Sequence, residues 1–556
     1  METRHTKGYA LEHLYHWEKL RADRPWLTQP FDGGKVRELT WREGMDQVRR
    51  MAVHLRSLGL PERSNIGLMS KGTAYWVLAD FAIWMAGHVT VPLYSTANAE
   101  TVRQVLTHSE AKLLFVGKLD SLTAIEGGAP SGLPMIALPL APPNVGAPAW
   151  DDIIAKTAPM TDNPVRPGSD LATIVYTSGS TGVPKGVMIT FEAMTRACAG
   201  IDSLYRVEPG ERLLSHLPLA HVAERLVCGC GTVFGATHLF FTESLETFVT
   251  DLKRARPNIF FTVPRLWQKF QLGVLSKVPA AKLDRMLRIP LLSRLVRKRI
   301  LRELGLDQVR FGVSGAAPIP PELLTWYRRL GLELLEGYGM SENFGYSHAM
   351  RLGHVRPGYV GEPLPGVEFR IADDGEIQMK SPGMMLGYYK DPDLTAQTFT
   401  ADGFFRTGDR GEVDEQGRLR ITGRTKELFK TSKGKYVSPA PIENVLANHP
   451  AIEAVCVSGS ARPQPYALIM LGDDARKKLA VSREELEASL REHLQQVNAQ
   501  LEPHEVLAFA AVVRDVWMPD NGFLTPTLKI KRSVIETAYE NDLDGWYAAR
   551  SPIVWQ

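Results

Sequence analysis

Cysteine is scarce: 4 residues in 556. Cys198, Cys228, Cys230 and Cys456 form neither a CxxC pair nor a metal-ligand set, which excludes a disulfide scaffold and a cysteine-built zinc site. The spacing Cys228–Gly229–Cys230 reads as two small buried residues. Charge of one sign is also lacking. The formal net charge is +3, too close to balance for a nucleic-acid coat, so no nucleic-acid partner is expected. Long apolar runs are missing as well. The N-terminal METRHTKGYALEHLYHW has no apolar core of a signal peptide. The most apolar stretches, 76–94 and 226–241, are broken by Asp80, by His238 and by glycines, so neither is a clean spanning segment. A cytoplasmic protein is expected.

What remains is an ordinary globular composition, 44% apolar and 23% charged, in a chain too long for one core. LTWREGMDQVRRMAVHLRSLGL predicts a helix. Thr40 and Glu43 have capping-box spacing, Met45, Val48, Met51, Ala52 and Leu55 form one stripe, and Gly59 can end it. NIGLMS, VTVPLY, KLLFVG and IFFTVP read as strands alternating with helices, which predicts an α/β fold with layered, mostly parallel sheets. Composition turns basic and polar in GRTKELFKTSKGKY. Beyond it, AIEAVCVSG and YALIMLG read as strands, and Ser482 with Glu485 opens a helix striped by Leu486, Leu490, Leu494, Val497 and Leu501. The expected division is a large domain over 1–424 and a small α+β domain over 425–556.

IVYTSGSTGVPKGVMIT, residues 174–190, is the most informative stretch. By composition it is either a flexible Gly/Ser linker or an anion cradle. Its strand-like flanks would pin it at both ends and favour the second. Glycines let backbone N–H groups converge, Thr177, Ser178, Ser180 and Thr181 add hydroxyls, and Lys185 adds a positive charge. It is not a Walker A loop, because Gly186 follows Lys185 where Ser or Thr is required, and no strand–GxGxxG–helix unit replaces it.

The string YTSGSTGVPKG resembles the signature loop of the adenylate-forming (AMP-binding) superfamily, whose members include acyl-CoA synthetases. Further motifs extend the resemblance over nearly the whole chain. LPLAHVAER and IFFTVPRLWQKF resemble the long-chain fatty acyl-CoA synthetase branch, and the resemblance puts His221 beside the substrate carboxylate. VSGAAPIP and EGYGMSEN resemble the two adenine-pocket segments, implying nucleotide contacts for Gly315, Ala316, Ala317, Glu336, Gly337, Tyr338, Gly339 and Ser341. The resemblance implies phosphate binding by Thr177, Ser178, Gly179, Ser180, Thr181, Gly182 and Lys185, and Mg2+ shared by Thr177 and Glu342. GFFRTGDRGEVDEQGRLRITGR has the ribose-binding form, with Asp409 on the ribose hydroxyls and Arg424 nearby. The resemblance places Lys426 at the family's hinge of a mobile C-terminal domain, makes Lys430 a candidate nucleotide or CoA contact, and through LTPTLKIKR puts the catalytic lysine at Lys529. Lys531 and Arg532 are expected to face solvent or the CoA phosphates.

The resemblance implies a two-step reaction with ATP, Mg2+ and coenzyme A: a medium-to-long-chain fatty acid, with an aryl acid as the open alternative, becomes acyl-AMP, and a thiol then takes the acyl group. Two rivals stay open, a ligase that loads carrier-protein phosphopantetheine and a non-catalytic acyl- or nucleotide-binding protein. The small residues Gly312, Ser314, Gly315 and Ala316 are expected to let an acyl chain pass. A basic, leucine-interleaved run, KLDRMLRIPLLSRLVRKRILREL, has two readings. It is a surface helix that buries its leucines, or a peripheral contact with the inner face of a membrane. Oligomeric state is open, a homodimer being one option.

Overall fold

The computed structural model describes residues 8–178, 184–525 and 529–556. The chain divides into two compact units, one of 1–317, 321–368 and 380–404, the other of 318–320, 369–379 and 405–556.

In the first unit the helix Trp41–Ser57 begins as its capping box predicts. Glu43 N–H donates to Thr40 Oγ1 at 3.2 Å, and Thr40 N–H donates to Glu43 Oε2 at 2.8 Å, so two otherwise orphaned donors are satisfied. The stripe of Met45, Val48, Met51, Ala52 and Leu55 is fully buried. Seven strands make the main sheet, in the order Gly387–Tyr388, Pro184–Thr190, Leu171–Ser178, Val89–Leu93, Asn65–Met69, Leu113–Val116, Met135–Ala137. Pairing is parallel from Leu171–Ser178 to Met135–Ala137 and antiparallel among the first three strands. A second sheet runs Ile259–Thr262, Phe311–Ser314, Leu334–Tyr338, His348–Ala349, Glu362–Pro363, again parallel first and antiparallel after. The α/β expectation holds, with antiparallel edges that make the sheets mixed.

The helix Ala74–Ala86 is buried along all 13 residues. Thr73 caps its start and Gly87, at φ 98°, ends it. Asp80 sits in its middle, and a lone buried carboxylate would cost several kcal/mol. Arg225 answers it, donating through Nη2 to Asp80 Oδ1 and Oδ2 at 2.6 and 2.7 Å and through Nη1 to Thr173 Oγ1 at 2.5 Å. The guanidinium lies 5.5 Å from the ring centroids of both Trp76 and Trp84. His238, which breaks the second apolar stretch, shares a 2.7 Å hydrogen bond with Thr28 Oγ1. Burial lowers its pKa to about 4, so it stays neutral. Among the described residues no helix is long and apolar enough to cross a membrane.

The second unit holds the antiparallel strands Glu376–Lys380, Phe405–Val413 and Leu419–Arg424. It also holds a sheet ordered Ile452–Ser458, Tyr466–Leu471, Ala510–Val512, Ile553–Trp555. Alternation along Ile452–Ser458 divides two cores: Val455 and Val457 pack with Leu490 and Leu494, while Cys456 packs with Trp517 and Tyr539. The helix Asp473–Asn498 is interrupted at Ser482, at φ −140° and ψ 35°, where the sequence predicts a helix start.

Asp80→Ala leaves Arg225 charged and buried without its carboxylate. A loss of about 3–5 kcal/mol is expected in urea unfolding, and Asp80→Leu combined with Arg225→Met should recover most of it.

Candidate active site

The strands that flank the predicted loop form a hairpin pair. Strands Leu171–Ser178 and Pro184–Thr190 pair antiparallel, with Thr177 opposite Lys185 and Ser178 opposite Pro184. Both ends are therefore pinned. Gly179, Ser180, Thr181 and Gly182 lie outside the described residues, as does the Ser178 side chain. Gly186 has to be glycine, because a Cβ there would meet Ile174 Cγ2 at 2.8 Å.

At the neck of this hairpin Tyr388 is the organising side chain. Its backbone pairs with Val187, and Lys185 Nζ sits 5.7 Å from its ring centroid. Its hydroxyl donates to Glu342 Oε1 at 2.8 Å, while Met385 N–H donates to the Glu342 carbonyl at 2.7 Å. Burial, then the Glu342 carboxylate, push the Tyr388 hydroxyl well above its ordinary pKa, so it remains a proton donor. Lys185 and Glu342 are thus brought to one tyrosine, and Thr177 stands across the strand pair from Lys185. Among the described residues no cluster of three or more His, Cys, Asp or Glu could hold a metal. A carboxylate and a threonine hydroxyl are donors that suit a hard cation such as Mg2+, which keeps water and takes phosphate oxygens.

The two adenine-type segments are neighbours in the second sheet, where Ser314 stands opposite Glu336. Gly315, Ala316 and Ala317 leave the first strand at its C-terminal end, and Ala316 adopts φ 66°. Gly337 and the half-buried Tyr338 end the second strand, Glu336 being buried. Gly339 cannot carry a Cβ, which would run into the Gly345 backbone carbonyl. Ser341 opens the short turn Ser341–Asn343 that presents Glu342. Gly312 departs from expectation: a Cβ there would meet Trp267 at 2.8 Å, so the room it leaves is filled by an indole and gives no passage to an acyl chain.

His221 caps the short helix Val222–Glu224, its Nδ1 accepting Ala223 N–H at 3.2 Å. Behind it Glu224 is fully buried and accepts Ser215 Oγ–H at 2.7 Å and His216 N–H at 3.1 Å through Oε1. Burial raises the Glu224 pKa to about 7, the hydrogen bonds opposing it. His216 shares a 2.9 Å hydrogen bond with Thr262 Oγ1, and burial lowers its pKa to about 4.

In the second unit Asp409 is buried and lies directly across the strand pair from Arg424, whose Nε reaches Asp409 Oδ1 at 3.0 Å. Lys426 is exposed on the turn Thr425–Glu427, and Lys430 Nζ lies 5.4 Å from the Tyr436 ring centroid. Lys529 is exposed and tied to Thr525: Thr525 N–H donates to Lys529 O at 2.8 Å, and Lys529 N–H to Thr525 Oγ1 at 3.1 Å. Arg532 corrects its expectation. Its side chain is only 14% exposed and pairs with Glu443 at 2.6 Å and Glu427 at 3.5 Å, so it neither faces solvent nor is free for a CoA phosphate.

Residues 14–389 match the AMP-binding enzyme family, and residues 427–551 match the AMP-binding enzyme C-terminal domain. The chain belongs to the AMP-binding enzyme family. This AMP-binding enzyme is 31% identical over 557 residues to the long-chain-fatty-acid–CoA ligase FadD15 of Mycobacterium bovis, covering 92% of each chain. It is 29% identical to the peroxisomal long chain acyl-CoA synthetase 6 of Arabidopsis thaliana, over 92% of this chain and 82% of that one. In fold it is similar to the A domain of carboxylic acid reductase from Segniliparus rugosus, solved with AMP and a co-purified carboxylic acid. That likeness has TM-score 0.81 at 20% identity, over 99% of this chain and 96% of that one. It is an adenylate-forming, acyl-CoA synthetase-like ligase.

Sequence reasoning missed Tyr388, Glu224 and Arg225 as builders of this AMP-binding enzyme's site. Asp80 was readable: it is a lone charge in an apolar stretch, and a buried charge calls for a partner, though nothing local named Arg225 as that partner. Nothing local marked Tyr388.

The buried carboxyl makes a pH test. Glu224 holds its proton to about pH 7 when folded, above its value in the unfolded chain. Its contribution is therefore complete below the unfolded pKa and is lost as pH rises to about 7. Glu224→Gln should match the parent in acid and exceed it above neutrality by on the order of 3 kcal/mol in urea unfolding.

Proposed function

We propose that this ligase activates a medium-to-long-chain fatty acid with ATP, forming acyl-AMP and pyrophosphate, and then transfers the acyl group to the thiol of coenzyme A, releasing AMP. The observation that carries the reading is the meeting of Lys185 and Glu342 at Tyr388, with Thr177 across the strand pair from Lys185, beside the pinned loop. The acyl class is supported by the long-chain-like segment LPLAHVAER and by relatives named as long-chain-fatty-acid and long chain acyl-CoA enzymes.

A carboxylate is a poor acyl donor until its oxygen becomes a good leaving group, which attachment of AMP provides. Its attack on the α-phosphorus brings two anions together, so fixed positive charge and aligned N–H groups lower the barrier. In this reading Lys185 and the loop hold the β- and γ-phosphates. Thr177 and Glu342 would hold Mg2+, which supplies charge neutralisation on phosphate oxygens. Glu336 to Ser341 and Gly315 to Ala317 take the adenine side, and Asp409, braced by Arg424, accepts the ribose hydroxyls. Lys430 adds a nucleotide or CoA contact. His221 orients the carboxylate, and Lys529 places a compact positive charge between carboxylate and α-phosphate. Thiol attack on the acyl carbon has no use for Lys529. A turn at Lys426 of the C-terminal domain, residues 425–556, would withdraw it and admit pantetheine.

Lys529→Ala should slow pyrophosphate release about 10²–10³-fold and leave CoA thioester formation from supplied acyl-AMP nearly unchanged. Equal losses in both half-reactions sink the assignment. Pyrophosphate release without a CoA thioester, across a panel of fatty acids, would instead identify a carrier-protein-loading ligase. Tyr388→Phe keeps the ring under Lys185 but removes the donor to Glu342. It should raise the Mg2+ needed for half-maximal pyrophosphate release about tenfold, the scale of one hydrogen bond to a charged group, with the unfolding midpoint little moved.

A further inference from the structure

The helices Ala280–Arg288 and Pro290–Glu303 carry a surface that the nucleotide chemistry does not use. A soluble helix that buried its leucines would leave only charge outside. Here Leu292, Val296 and Ile300 are half-buried, but Ile289, Leu291 and Leu295 are 51%, 82% and 68% exposed. Leu291, Arg294, Leu295, Lys298 and Arg302 are all exposed. They fall at i, i+3, i+4, i+7 and i+11, one face of the helix.

That face has no acidic counterweight. The two carboxylates of the helices are already engaged, Asp284 with Arg329 at 2.5 Å and Glu303 with Lys253 at 3.2 Å. Among the described residues, Arg294, Lys298, Arg299 and Arg302 form no ion pair. Beside the leucines an open groove of about 780 Å³ is lined by Arg288, Arg294, Arg297 and Lys298, and its lining carboxylate, Asp307, is held by Arg256 at 2.5 Å. The guanidinium groups of Arg288, Arg294 and Arg297 with the Lys298 ammonium give this groove a cationic lining suited to a phosphate.

We propose that this face docks on an anionic lipid surface. Ile289, Leu291 and Leu295 enter the boundary between headgroups and acyl chains, Arg294, Lys298 and Arg302 lie among the headgroups, and the groove takes a headgroup phosphate. Apolar tips ringed by unpaired cations match that chemistry on both counts. The proposal stands apart from the ligase reading, since binding is read without turnover.

Flotation of the full chain with vesicles of phosphatidylcholine, with and without phosphatidylglycerol, tests it. The protein should float with the anionic vesicles, weakly with the neutral ones, and less in high salt. Arg294→Gln, Lys298→Gln and Arg302→Gln together should weaken partition about 100-fold, at roughly fivefold for each cation. Leu291→Ser with Leu295→Ser should weaken it by about tenfold or more at any salt. All five positions are exposed, so circular dichroism and the unfolding midpoint should stay at parental values. Three results overturn the proposal. One is equal partition onto neutral and anionic vesicles. Another is release by inorganic phosphate at constant ionic strength, which would mark a soluble-anion site. The third is a leucine double variant that partitions normally but changes from dimer to monomer by light scattering, which would make the face a contact between copies of the chain.

Discussion

Arg225 is the tie on which the first unit's site depends. One guanidinium joins the buried helix through Asp80, the strand leading into the loop through Thr173, and the segment that starts at His221. Each of these is a different piece of chain, and Arg225 adds one common anchor to the strand pairing and the Trp84–Ala172 hydrogen bond that already hold them. A buried ion pair adds little net stability over a well-packed apolar equivalent. Its value here is geometric, because a bidentate fork tolerates little displacement of its partners. Glu224 works beside it, gathering Ser215 and the His216 backbone onto one carboxylate oxygen.

Positive charge in this molecule is deployed in two ways. Most of it is balanced by carboxylates, 65 Lys and Arg against 62 Asp and Glu, so that little net field is left over. At the loop neck the paired arrangement still leaves work to do: Glu342 has one oxygen held by Tyr388 while Lys185 lies against the ring of the same tyrosine. A cation and a carboxylate are thereby kept close without neutralising each other, an arrangement suited to a polyphosphate carrying its own metal.

The parts legible from the sequence were those whose causes are local. The Thr40–Glu43 cap, the strands of NIGLMS and KLLFVG, the pinned flanks of the loop and the helix start at Ser482 each follow from a few adjacent residues. Motif resemblance carried the candidate site, and the structure joins Lys185 and Glu342 through Tyr388 in one unit, with Thr177 across the strand pair from Lys185, and Asp409 with Arg424 in the other. What escaped depends on residues distant in sequence. Tyr388 meets Glu342 across 46 positions. Gly312 looked like open space because Trp267, which fills it, comes from another element. Arg532 looked like one more basic residue in a basic run, although Glu443 and Glu427 wait for it 89 and 105 positions upstream.

The Arg532 clasp has a mechanical consequence. It grips Glu427, the residue after Lys426, and Glu443 on the helix Pro439–Leu446, only three positions beyond Lys529. The stem of the lysine loop and the start of the segment after Lys426 are therefore clamped to one another like the two arms of a crank. Any swivel of the backbone at Lys426 would be delivered to Lys529 with little lost motion, because a clasped charge pair resists stretching far more than a chain of free rotors does.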